Sequence, residues 1–124
     1  MKSDYQALRS GTILKGKYRI KSHLSSGGFG KTYLAEYGSR NTKVAIKEFF
    51  MNRANQREAD GVTVSVDRTK ENADAFDSQL VKFKKEYERL KQINNVHVVK
   101  VHECFEENGT AYYLMDYVEG DDLK

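Results

Sequence analysis

Three glycines crowd into Ser25-Ser26-Gly27-Gly28-Phe29-Gly30, and Lys31-Thr32 follows at once. Without a Cβ, backbone amides at such positions approach a ligand closely, and phosphate is the usual beneficiary. The plain alternative is a hairpin turn that uses glycine for positive φ. A P-loop, G-x-x-x-x-G-K-[ST], is nearly matched by Gly30-Lys31-Thr32, but Ser25 stands where its first glycine belongs. Tyr112-Tyr113-Leu114-Met115-Asp116 even imitates the apolar run whose aspartate holds magnesium. A P-loop also needs a helix straight after Lys-Thr, so that the helix amides meet the phosphate. Only Tyr33 to Tyr37, rich in aromatics, separate Thr32 from the turn at Gly38-Ser39-Arg40-Asn41. The dinucleotide fingerprint fails for want of the same helix. A third arrangement places the loop between two antiparallel strands, folded over a nucleotide like a lid, with a lysine on the next strand. Val44-Ala45-Ile46-Lys47 supplies that lysine at a fitting distance.

The glycine loop followed by Val44-Ala45-Ile46-Lys47 resembles the arrangement in protein kinases, which implies a glutamate on the following helix to hold that lysine, and the helix here offers Glu86 and Glu88. With Phe83 as origin and about 100° per residue, Leu80, Tyr87, Leu90 and Ile93 fall at about +60°, +40°, −20° and −80°. Glu86 then lies at about −60°, inside the apolar arc, and Glu88 near +140°, on the far side. An inward carboxylate is costly unless paired, and Lys47 is the obvious partner. The bland alternatives are a Glu86 that snorkels to a helix-surface lysine and a Lys47 that is simply a solvated strand residue.

The elements that must position these groups follow from patterning. Tyr18 to Leu24, Thr32 to Tyr37 and Lys43 to Phe49 read as three strands joined by tight turns, an antiparallel meander. Met51 to Asp77 is polar, and Val62-Thr63-Val64-Ser65-Val66 alternates within it as a short edge strand or hairpin arm. Partial structure is expected there, because a long structureless loop is uncommon in a compact domain. Asp77 or Ser78 can cap a helix running to about Ile93. Val96 to Phe105 and Thr110 to Tyr117 make two more strands, joined through Glu107-Asn108-Gly109, an Asn-Gly hairpin signal.

Composition narrows the class. A chain of 124 residues suits one domain. It is 39% hydrophobic and 31% charged, with eight tyrosines and six phenylalanines, which permits a modest core. The net charge of +3 is too balanced to argue for nucleic acid. No run approaches the ~18 apolar residues of a membrane-crossing helix, and MKSDYQALRSG lacks the apolar stretch of a secretory leader. The single cysteine, Cys104, excludes a disulfide framework and a cysteine-based zinc site, and suits a cytoplasmic setting.

On these residues the chain resembles the amino-terminal lobe of a protein serine/threonine kinase, most closely the bacterial, eukaryotic-like branch. The likeness runs from about Leu8 to Lys124: Tyr18-Arg19-Ile20, Gly27-Gly28-Phe29-Gly30-Lys31-Thr32-Tyr33-Leu34-Ala35, Val44-Ala45-Ile46-Lys47-Glu48-Phe49-Phe50, and Asn108 through Tyr117. It implies an α+β fold: a five-stranded antiparallel sheet, one main helix at about 78–93 between strands 3 and 4, and a polar insertion at about 51–77. Residues 1–11 would be a polar lead-in and 12–124 the lobe.

The resemblance also implies roles. Lys47 and Glu86 would be the catalytic pair. Ser25, Ser26, Gly27, Gly28, Phe29 and Gly30 would cover the phosphates of ATP. Leu24, Thr32 and Ala45 would sandwich the adenine, with Met115 behind it as gatekeeper. The backbone of Asp116 and Val118 would bond the adenine edge, and Asp122 would lie near the ribose. Three departures stand out: Ser25 replaces the first glycine, Thr32 a common valine, and Asn95-Val96-His97-Val98-Val99 the usual His-Pro-Asn-Ile-Val.

Phosphoryl transfer also needs a second lobe, with its His-Arg-Asp loop and its Asp-Phe-Gly site for Mg2+. Neither string occurs in these residues, and the chain stops about where the hinge would lead into that lobe. Two expectations follow. One is the ATP-binding part of a kinase that phosphorylates serine or threonine in a protein substrate, inactive by itself. The other is a stand-alone, non-catalytic binding module whose exposed inter-lobe face invites self-association or a partner. A P-loop NTPase is the minor alternative. No metal ligand is expected within the chain, and no contact with nucleic acid or membrane.

Overall fold

The computed structural model describes residues 6–27, 29–51, 54–66, 69–93 and 100–117. Its main sheet runs through β1 (Ile13–Leu14), β2 (Tyr18–Ser26), β3 (Gly30–Tyr37), β4 (Thr42–Phe49), β7 (Val101–Glu107) and β8 (Thr110–Asp116). A second, two-stranded sheet pairs β5 (Asn55–Arg57) with β6 (Val64–Val66), and the helix α1 spans Lys70–Gln92. The main sheet is antiparallel in the order β1-β2-β3-β4-β8-β7. Five of these strands are the expected ones. The sixth, β1, is a two-residue addition on the edge of β2.

β4 lies between β3 and β8, and its residues from Val44 onward are buried or half-buried because both faces are covered. One face gathers Ile20, Tyr33, Val44, Ile46, Tyr112 and Leu114 into a core closed by Leu8 and flanked by Ala7 and Val62. The other packs Phe49, Ala111 and Tyr113 against Phe76, Phe83 and Tyr87 of α1. Each large apolar side chain so buried contributes roughly 1.5–3 kcal/mol. The Asn-Gly signal holds: Asn108 and Gly109 take φ of 57° and 80° between β7 and β8. The irregular end of β2 holds too, with register shifts at Ile20/Ser22 and His23/Ser25.

The helix starts earlier than the expected Asp77 or Ser78. Thr69 is the cap, its side chain accepting from the amide of Asn72 at 3.2 Å, with Glu71 in the first turn. The reason lies in Phe76, seven residues before Phe83 and therefore on the same stripe. Its ring sits 5.1 Å from that of Phe49, and this contact extends the helix two turns into what reads as a polar segment. The last turn carries Arg89 and Lys91, cations suited to a helix C-terminus.

The polar segment is built rather than loose where it is described. Val64–Val66 is the expected hairpin arm and pairs with Asn55–Arg57. The Asp60 carboxylate closes the turn by accepting from the amides of Val62 and Thr63, both at 2.9 Å. Residues 52–53 and 67–68 of this segment, and the expected strand start at 96–99, lie outside the described residues.

Candidate functional site

The glycine loop joins β2 to β3, and the amide of Gly27 donates to the carbonyl of Gly30 at 2.8 Å across it. Thr32 to Tyr37 is strand, so no helix follows Lys31-Thr32 and the P-loop geometry is absent. Gly30 earns its place by close approach. A Cβ there would sit 3.2 Å from the Glu48 carbonyl oxygen and 3.2 Å from Cε of Lys47, and its φ is not in the left-handed region. The positive-φ turn reading therefore does not account for Gly30. Gly28 lies outside the described residues.

Register brings the next groups together. Thr32 pairs with Lys47, and Lys47 with Tyr113, in one row across β3, β4 and β8. Two residues along, Leu34, Ala45 and Met115 form the next row on the same face. From the helix side Glu86 meets this face, and Lys47 Nζ donates to its Oε1 at 3.1 Å. The Tyr113 hydroxyl donates to the same oxygen at 2.7 Å. Burial alone raises the Glu86 pKa, but the hydrogen bonds from Tyr113 and Lys47 outweigh it and hold the group below its ordinary value. Tyr113 shifts the other way: burial and then the bond to Glu86 push its pKa up, so it stays a donor. Lys47 Nζ also lies 5.8 Å from the Tyr113 ring centroid, within cation–π range.

Lys47 and Glu86 head an open cleft of about 540 Å³. Ser25, Ser26, Gly27, Phe29, Gly30 and Thr32 line it from the end of β2, the loop and β3. Lys47 and Phe49 line it from β4, and Gln79, Lys82, Phe83 and Glu86 from α1. The cleft thus joins most of the residues expected at the phosphates, with a lysine at its head and no Cβ at Gly30. Leu24, Ala45, Met115 and Asp116 are not among its lining residues. Ala45 is buried, Leu24 exposed and Met115 half-buried. The Asp116 amide donates to the Lys100 carbonyl at 2.9 Å, and its carboxylate meets His102 at 2.6 Å. Val118 and Asp122 lie outside the described residues.

Sequence reading missed Tyr113, Gln79 and Lys82. Tyr113 carried a signal only in retrospect, through its register opposite Lys47. The two helix residues carried none, since long polar side chains on a helix are ordinarily solvated.

No family model matches the sequence. The chain is 25% identical over 117 residues to a probable serine/threonine-protein kinase, YbdM, of Bacillus subtilis, covering 94% of this chain and 38% of that one. It is 26% identical over 114 residues to the serine/threonine-protein kinase PrkC of the same organism, covering 92% and 14%. Among solved structures, the apo form of PpkA-294 superposes with a TM-score of 0.85 at 27% identity, over 93% of this chain and 40% of that one. The PknI kinase domain of Mycobacterium tuberculosis superposes at 0.61 with 24% identity, over 92% and 38%, a likeness of fold. The fold is that of a protein-kinase amino-terminal lobe. In sequence as well, the chain matches that lobe of bacterial serine/threonine kinases, spanning well under half of each relative's length.

Proposed function

We propose that the chain is the ATP-binding lobe of a protein serine/threonine kinase, which transfers the γ-phosphoryl group of ATP to a protein hydroxyl once joined to its second lobe. The observation that carries the reading is the Lys47–Glu86 pair at 3.1 Å, at the head of a cleft walled by the glycine loop. Lys47, fixed by Glu86, holds the α- and β-phosphates, and a guided cation there is what a loose, charge-spread transition state needs. The amides around Phe29 and Gly30 cover the phosphates, as the missing Cβ of Gly30 allows. Leu24, Thr32 and Ala45 hold the adenine, with Met115 behind it. Because the Asp116 amide is already bonded to Lys100, its part at the adenine edge falls to its carbonyl. Val118 and Asp122 complete the edge and the ribose contact.

The transfer breaks the bond between the γ-phosphorus and the bridging oxygen and forms one to the substrate hydroxyl oxygen. ADP leaves, and the hydroxyl proton goes to an aspartate of the second lobe. Mg2+ neutralises phosphate charge when bound. Among the described residues no group of three or more His, Cys, Asp or Glu side chains could hold it, so its ligands are assigned to the second lobe. The 124 residues, lacking both His-Arg-Asp and Asp-Phe-Gly, transfer no phosphate by themselves. No described helix is long and apolar enough to cross a membrane.

The test is phosphorylation of a protein substrate by the chain joined to its second lobe, with and without Lys47→Met. Loss of transfer in the variant supports the assignment, and wild-type rates would overturn it.

A further inference from the structure

Glu48 follows Lys47 on β4 and so points to the opposite face, into the core formed by Tyr33, Ile46 and Tyr112. It is fully buried. A carboxylate there survives only if its lone pairs are met, and four donors meet them. Arg57 on β5 gives Nη2 to Oε1 at 2.6 Å and Nη1 to Oε2 at 2.8 Å. The hydroxyls of Tyr33 and Tyr112 donate at 2.7 and 2.8 Å. The remaining donors of Arg57 go to the carbonyls of Gln6, at 2.8 Å, and Val62, at 3.0 Å, and to the Tyr33 hydroxyl at 3.4 Å. The hairpin of β5 and β6 is thereby fastened to the residue next to Lys47.

The same guanidinium lies 5.1 Å from the ring of Phe50, which is fully buried. Lys31 Nζ lies 4.6 Å from that ring, and Lys31, the second residue of β3, is itself 1% exposed. The Phe50 amide donates to the carbonyl of Phe29, at the tip of the glycine loop, at 3.1 Å. Four consecutive residues therefore serve four different contacts. Lys47 faces the cleft, Glu48 holds Arg57, Phe49 packs on Phe76 and Phe83 of α1, and Phe50 holds the loop.

We infer that Arg57 and Phe50 are positioning residues: the hairpin of residues 54–66 sets the height of the glycine loop above Lys47, through the Phe50 ring and amide. The polar insertion is then a support for the loop rather than a decoration of the sheet. The consequence for nucleotide rests on the function proposed above, while the coupling of hairpin to loop does not.

Amide hydrogen exchange on the chain without nucleotide tests the coupling. Phe50→Leu removes the ring and leaves the Glu48–Arg57 pair in place. Exchange at position 50 and at Gly27 should quicken at least tenfold, while the amides of β3, β4 and β8 away from the loop change threefold or less. Unchanged loop protection, or an equal loss everywhere, would overturn the inference. The double variant Glu48→Gln with Arg57→Met leaves no buried charge unpaired, and it should reproduce the loop-specific pattern. Adding millimolar ATP separates the two claims. Greater loop protection in the wild-type chain supports nucleotide binding, whereas no effect of ATP, with the loop-specific pattern intact, contradicts nucleotide binding alone.

Discussion

Lys47 and Glu86, 39 residues apart in sequence, meet at 3.1 Å between the central strand β4 and the helix α1. The bond depends on two periodicities being right together. β4 must present Lys47 on the helix side of the sheet, and α1 must present Glu86 at the edge of its apolar stripe. Tyr113, across the register from Lys47, adds a second donor to the same carboxylate oxygen.

Tyr113→Phe removes the donor and keeps the ring, which packs 5.0 Å from Phe83 and 5.9 Å from Tyr87. We predict a loss of about 0.5–1.5 kcal/mol in stability, or up to about 3 kcal/mol where the bond to a charged acceptor counts fully. The fold should remain. Chemical denaturation with an unchanged m-value would confirm it.

Acid should weaken the site. The folded pKa of Glu86 lies below its unfolded value, so its contribution is fully present above the ordinary carboxylate range and is lost as pH falls through the depressed value. Thermal unfolding of wild type and Glu86→Gln should differ by a constant amount above about pH 5 and converge below it. A difference that grows on acidification would contradict the assignment.

Arg57→Ala leaves the Glu48 carboxylate buried with only the two tyrosine hydroxyls. Breaking such a pair from one side typically costs about 3–5 kcal/mol. Replacing both partners, as in Glu48→Gln with Arg57→Met, should recover most of that loss. A non-additive double-mutant cycle in urea is the expected readout.

Gly109 takes φ +80°, and a Cβ there would stand 2.6 Å from the backbone oxygen of Val64. Gly16 takes φ +68° with nothing near. Gly16→Ala should therefore cost only the left-handed strain, about 1–2 kcal/mol, and Gly109→Ala clearly more, because backbone cannot step aside cheaply. Comparing the two melting temperatures checks how firmly the β7–β8 turn is seated on the hairpin.

Much of this was legible beforehand because it is local. Strand alternation, the Asn-Gly turn and the 3-4-3 stripe of α1 each depend on neighbours within a few residues. Glu86 was legible because its angle on the helix, inside the apolar arc, is calculable. The early start of α1 was not, since Phe76 sits alone in a polar stretch and its value lies in Phe49, far away in sequence. The Glu48–Arg57 bond was hidden for a different reason, although its partners are only nine residues apart. A charged residue next to Lys47 reads as solvated, and only the hairpin folding back over the sheet makes it a buried pair. For Gly30 the sequence left close approach and positive φ both open, and the contacts a Cβ would make with Glu48 and Lys47 on β4 favour close approach.

The most direct test of the central claim is titration of the chain with ATP, followed by NMR at Gly30, Thr32, Lys47 and Glu86. Because the proposed function assigns half the cleft walls to a second lobe, affinity of this chain should be weak, in the high micromolar range or beyond, on the order of −5 kcal/mol. The account predicts saturable shifts confined to this cleft and abolished by Lys47→Met in a folded variant. Shifts elsewhere, or binding that Lys47→Met leaves unchanged, would contradict it.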